Sequence, residues 1–149
     1  MDERRIEKET RQVLFELSDG SEISGEVFLR LYEAHHAGLQ KLGGLLNEKK
    51  PFIPIKTKEG VFLINRSHIV LGKANVESEK DDFMALGEKY AVRVKMAKGK
   101  EVQGNIFVNL SAGANRVKDY FNQSIEFLPL IQPECVVYLN QQFILSVQD

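Results

Sequence analysis

The chain has 149 residues, 43% hydrophobic and 28% charged, a globular balance that excludes a wholly disordered protein. Its 20 basic and 21 acidic side chains leave a net charge of -1, which excludes a strongly basic nucleic-acid binder but not a local basic patch. The single cysteine, Cys135, excludes an internal disulfide and a multi-cysteine zinc site, and no apolar run reaches the roughly 20 residues of a membrane span.

Residues 1–11 are dominated by charge and read as a frayed helix or a disordered segment. The start from Asp2 to Arg5 does not resemble a signal peptide, so a cytoplasmic protein with no membrane contact is expected. Val13, Phe15 and Leu17 then alternate with polar residues at strand period. Ser18-Asp19-Gly20-Ser21 is turn chemistry, and Ile23 to Leu31 resumes as a longer strand with Gly25 marking a bulge or bend. Leu42, Leu45 and Leu46 stand at helical spacing and predict a helix of two or three turns. Asn47 follows at once and is expected to end it in a left-handed conformation. Three short strands close the unit: Phe52 to Lys56 with Pro54 at an edge or irregular position, Val61 to Ile64, and His68 to Leu71.

The same pattern recurs. Val13, Gly20, Glu22, Gly25, Phe28 and Leu31 meet Val92, Gly99, Glu101, Gly104, Phe107 and Leu110 at an offset of 79 residues. Phe52, Pro54, Glu59, Val61, Asn65 and Ile69 meet Phe127, Pro129, Glu134, Val136, Asn140 and Ile144 at an offset of 75. The same offset aligns Leu42, Leu45, Leu46 and Asn47 with Val117, Tyr120, Phe121 and Asn122, and the four extra residues of the first copy fall around Tyr32 to Leu39. This predicts a mainly β chain with minor α, built as a tandem duplication of a small five-stranded, partly open barrel with one short helix per copy. The alternative is one mixed sandwich. The expected division is 1–11 as the charged segment, 12–73 as the first copy, 74–89 as an acidic, solvated linker and 90–149 as the second copy.

Arg116-Val117-Lys118-Asp119-Tyr120-Phe121-Asn122, followed by Phe127-Leu128-Pro129-Leu130, resembles a motif of a bacterial family of unknown function. In that family an Arg-Leu-Ser-Asp-Phe-Leu-Asn type helix precedes Phe-Leu-Pro-Leu and a strand pair. Lys41 to Asn47 with Phe52-Ile53-Pro54-Ile55 is a degenerate version of it. The resemblance implies no catalytic residues. The hairpins from Gly20 to Gly25 and Gly99 to Gly104 are similar, more weakly, to those of Sm-like and SH3-like small barrels, which implies RNA binding as an alternative function.

His35-His36 is the place to look for a metal, with Glu33 and His68 as further ligands brought in by folding. Adjacent histidines point apart, however, and metal helices space them at i, i+4. Cys135 reads as a small core residue. Lys49, Lys50, Lys56, Lys58 and Arg66 form a basic stretch with Phe52 and Phe62 nearby, but those aromatics recur as Phe127 and Val137, as core positions do. Arg116 and Asp119 at i, i+3 suit a surface ion pair. The shared residues are mostly apolar, Gly, Pro or Asn, which is the signature of a shared fold rather than of catalysis. The expected function is a non-enzymatic protein-binding or regulatory module with a protein partner or a homo-oligomer, without cofactor or catalytic residues. His35, His36, Arg66, Arg116 and Asp119 are its candidate contact residues. An Sm-like RNA binder and a metal-dependent enzyme around His35 and His36 are the second and third readings.

Overall fold

The computed structural model describes residues 8–30, 40–80, 84–111 and 113–149. The fold is mainly β. Strands β1 (Lys8–Leu17), β2 (Glu22–Arg30), β3 (Phe52–Thr57), β4 (Gly60–Asn65) and β5 (Ile69–Asn75) come first, with helix α1 (Leu42–Leu46) between β2 and β3. Helix α2 (Val76–Glu79) leads on to β6 (Glu88–Met96), β7 (Glu101–Val108), α3 (Val117–Phe121), β8 (Phe127–Ile131), β9 (Cys135–Asn140) and β10 (Ile144–Gln148). All ten strands form one antiparallel sheet in the order β10-β6-β7-β8-β9-β5-β1-β2-β3-β4. No helix among the described residues is long and apolar enough to cross a membrane.

Strand period builds the core. Val13 and Phe15 on β1, Val27 and Leu29 on β2, and Ile53 and Ile55 on β3 are all buried, while their odd-phase neighbours face out. The pairing is thinnest where β2 meets β3 and where β7 meets β8. Only Glu26↔Lys56 pairs at the first junction and only Asn105↔Ile131 at the second. Gly25 and Gly104 sit beside these single pairs. A Cβ on Gly25 would lie 2.4 Å from the Lys56 carbonyl oxygen, and one on Gly104 would lie 2.8 Å from that of Ile131. The two strands cross too closely there for any side chain; the register runs through Gly25 and Gly104 without the bulge expected from the sequence. Pro54 and Pro129 lie on β3 and β8, next to these open junctions, where a missing N–H costs no ladder bond.

The buried residues form two clusters. One centres on Val13, Phe15, Leu29, Leu42 and Leu46, but it also takes Phe127, Val136 and Tyr138 from β8 and β9. The other centres on Val92, Val94, Met96, Val117 and Tyr120, and it takes Leu71 from β5. Each cluster is therefore completed by residues from the other half of the chain.

Four further expectations change. Residues 8–11 are not a frayed helix; they extend β1, pair with β2 and bury Arg11. The segment 74–89 is not a solvated connector throughout, because Ala74 and Glu79 are buried. The helices α1 and α3 have five residues each, little more than one turn. Asn47 and Asn122 do not end them in the left-handed region, since their φ values are -92° and -102°. Instead, each side-chain amide donates back to the helix, Asn47 Nδ2 to Gly43 O at 2.9 Å and Asn122 Nδ2 to Lys118 O at 2.6 Å. A helix this short leaves most of its carbonyls without an intrahelical partner, so a side-chain donor at its end takes one.

Candidate functional site

The two halves meet where β5 pairs with β9, from Leu71↔Leu139 to Asn75↔Cys135. Around this joint lie Arg11, Glu79 and Asn140, three of the four buried polar residues among the described ones. Glu79 is fully buried at the end of α2. Its carboxylate pairs with the Arg11 guanidinium, accepts the Leu42 backbone N–H at 2.9 Å and accepts the Tyr138 hydroxyl at 2.5 Å. Burial, with the Glu79 charge beside it, pushes the Tyr138 hydroxyl well above the ordinary tyrosine range. A buried acid satisfied by a cation and two further donors ties β1, α1, α2 and β9 together. Asn47 adds a two-way bond to Phe127, with Oδ1 accepting its N–H at 3.0 Å and Nδ2 donating to its carbonyl at 3.1 Å. Asn140 Nδ2 donates to Ile69 O at 2.9 Å.

The sheet ends tell the opposite story. β4 and β10 are the two outermost strands. On β4, Val61 is 60% exposed, Leu63 65% and Phe62 41%, and Phe52 on neighbouring β3 is 52% exposed. Lys56 is exposed and lies opposite Val61 in the β3–β4 register, and Lys49, Lys50 and Lys58 are exposed nearby. A groove of about 930 Å³ runs beside them, lined by Leu17, Ile23, Lys56, Thr57, Phe62 and Ile64 among others. On β10, Leu145 is 63% exposed. The expectation that Phe52 and Phe62 are core positions fails in the first half, although their aligned partners Phe127 and Val137 are fully buried. The reason is tertiary: β9 has a strand on each side, and β4 has one on a single side.

The sequence-predicted residues scatter. His35 and His36, with Glu33, lie outside the described residues. His68 Nδ1 lies 2.8 Å from Ser18 Oγ. Arg66 is taken up internally: it bonds Leu46 O at 3.3 Å and Lys50 O at 3.1 Å and pairs with Glu126 at 2.8 Å. It is a strut between the halves rather than a free contact. Asp119 does not reach for the Arg116 guanidinium. Its carboxylate accepts the Arg116 backbone N–H at 3.1 Å and so caps α3, which leaves Arg116 exposed. Cys135 is half-buried against the second cluster, its thiol donating to Gln132 Oε1 at 3.2 Å, and burial raises its pKa. That favours the thiol over a nucleophilic thiolate. Among the described residues no group of three or more His, Cys, Asp or Glu is placed to hold a metal ion.

Sequence reasoning missed Arg11 and Glu79. Arg11 had a signal, because it shares the strand phase of Val13, Phe15 and Leu17 and is thus a charge on an apolar face. Glu79 had none, being one acid among several in a polar segment. No family model, curated protein or solved structure matches the chain.

Proposed function

We propose that the chain is a tandem duplication of a small five-stranded, partly open barrel of SH3/Sm type, and that it acts as a non-enzymatic module through protein contacts at its open sheet edges. The observation that carries this reading is the gathering of Phe52, Val61, Phe62 and Leu63, all exposed, on β3 and the outermost strand β4. An edge strand offers a row of unpaired N–H and C=O groups, and natural proteins normally blunt it with charge, proline or a covering segment. β4 (Gly60–Asn65) carries no charge and no proline, with the sequence Gly-Val-Phe-Leu-Ile-Asn, and no described segment pairs with its outer edge. An apolar, unblunted edge suits strand addition by another polypeptide, in which main-chain bonds give affinity and alternate side chains give specificity. The recurrence of β-β-α-β-β-β in the element order, with Gly25 and Gly104 at matching junctions, supports the duplication.

The test compares the full chain with Leu63→Lys in sizing and in capture of binding partners. Self-association or capture that is lost on Leu63→Lys is the expected result. An inert monomer that turns over a compound in a substrate screen overturns the reading. A second reading, single-stranded RNA binding, draws on the exposed Phe52 and Phe62 amid Lys49, Lys50, Lys56 and Lys58. It requires oligonucleotide affinity that falls steeply with salt and is lost on charge reversal of Lys49 and Lys50. Binding that is absent or indifferent to salt removes it.

A further inference from the structure

The joint inside the chain shows how its two loose ends fit. β9 aligns with β4 and β5 aligns with β10, both at an offset of 75 residues. The pair that meets within the chain, β9 with β5, is therefore the counterpart of the pair left open, β4 and β10. We propose that the β4 edge of one copy pairs with the β10 edge of a second copy in the geometry of the β9–β5 joint, so that copies associate head to tail. This rests on the reading of the edges as protein-contact surfaces and names their occupant.

The register transfers directly. Leu139↔Leu71, Tyr138↔Gly72 and Val137↔Lys73 become Ile64↔Ser146, Leu63↔Val147 and Phe62↔Gln148 between copies. The side chains transfer with it. Phe127, Ile131, Val136 and Tyr138 lie buried over the core of the other half, and their aligned residues Phe52, Lys56, Val61 and Leu63 are all exposed. On the receiving side, Val70 packs against the joint's second cluster, and its aligned residue Leu145 is 63% exposed.

The polar contacts of the joint also have matching groups at the open ends. Asn47 grips the Phe127 backbone at both atoms, and the aligned pair is Asn122 and Phe52. Asn140 donates to Ile69 O, and the aligned pair is Asn65 and Ile144. Asn122 Oδ1 and Asn65 Nδ2 take no hydrogen-bond partner among the described residues, although the other end of each amide is engaged. The ion pairs do not carry over: Arg66 and Glu126 align with Gln141 and Pro51, and the Arg11–Glu79 pair has no copy. Where it would fall, the aligned residues are Tyr90 for Arg11 and Leu63 for Tyr138. The open ends therefore carry no copy of the buried ion pair; the charge they bring to the contact is Lys56, which takes the place of Ile131. Two unlike edges make a heterologous contact, which gives a ring if the rotation closes and a filament if it does not.

Sedimentation velocity and native mass spectrometry of the full chain test this with two variants at exposed positions, Leu63→Lys on β4 and Leu145→Lys on β10. The wild type is expected to form species larger than the monomer, and each variant to remain monomeric with an unchanged circular dichroism spectrum. An equimolar mixture of the two variants is then expected to give a dimer and nothing larger, because each supplies the edge that the other lacks. Phe52→Ser, which places no charge in the strand pairing, is expected to weaken association by about tenfold or more. A wild type that stays monomeric, a mixture that stays monomeric, or assembly that survives Leu145→Lys overturns the proposal. If the monomeric wild type still captures another protein through Leu63, the second-copy inference fails while the protein-contact reading stands.

Discussion

β4 and β9 have aligned sequences, Gly-Val-Phe-Leu-Ile-Asn against Cys-Val-Val-Tyr-Leu-Asn, and opposite surroundings. Both pair on one side with a proline-bearing strand. β9 also pairs with β5, and Val136, Val137, Tyr138 and Leu139 are fully or nearly fully buried. β4 ends the sheet and exposes Val61, Phe62 and Leu63. An apolar strand sequence therefore does not by itself decide whether the chain covers it.

The sharpest way to break this comparison is to place one lysine at two aligned sites. Val137→Lys sets an unpaired charge in the core and is expected to cost about 4–5 kcal/mol or more, in the exceptional range for one mutation. Phe62→Lys at the aligned, exposed position is expected to change monomer stability by about 0.5 kcal/mol or less. Urea unfolding of both variants measures the difference, and equal losses would mean that the two strands share one environment.

Next in size is Glu79→Ala. It strands the buried Arg11 charge and removes the acceptor for Leu42 N–H and the Tyr138 hydroxyl, for an expected loss of about 3–5 kcal/mol. Glu79→Gln keeps an acceptor and is expected to lose less. Chemical denaturation checks the order of the two, and a loss well below 1 kcal/mol for Glu79→Ala would show that the joint is held by apolar contact alone.

Smaller effects separate Asn140 from Asn65. Both side chains cap a short 3-10 turn, accepting Gln142 N–H and Ser67 N–H at 3.0 Å. Asn140 alone also donates across the joint. Asn65→Ala is expected to cost about 1 kcal/mol for the lost cap, and Asn140→Ala about 1 kcal/mol more for the cross-joint bond. Equal melting shifts would contradict the second contribution.

The smallest effect shows only in the alkaline range. Burial raises the Tyr120 hydroxyl, and burial together with Glu79 raises that of Tyr138. A folded-state value above the unfolded one of about 10 means that the unfolded chain releases these protons first. Their contribution to stability is thus whole below about pH 10 and is lost as pH rises above it. Urea midpoints followed into the alkaline range are expected to fall less steeply in Tyr138→Phe than in the wild type.

Much of the fold was legible in the sequence because it is written in local terms. The strand phase of Val13, Phe15 and Leu17 and the helical spacing of Leu42, Leu45 and Leu46 each follow from near neighbours. The candidate site was less legible. Arg66 and Asp119 looked like surface charges, yet one braces the halves and the other caps a helix, because their partners lie in backbone that no sequence spacing reveals. Glu79 went unseen for the same reason: its partners Arg11, Leu42 and Tyr138 come from three separate elements.

The sequence by itself determined the mainly β character, the alternation of hairpin, short helix and three strands, and the recurrence of that order at offsets of 79 and 75 residues. These depend on side-chain period and turn chemistry, which act over a few residues. Only the tertiary structure decided that β5 turns to β9 rather than to β4, and so which of two like strands is buried and which lies open. Strand partnership is set by backbone hydrogen bonds, and every strand edge offers the same N–H and C=O groups. The choice among them rests on how Phe127 and Tyr138 complete the core of the opposite half, where Glu79 accepts the Tyr138 hydroxyl.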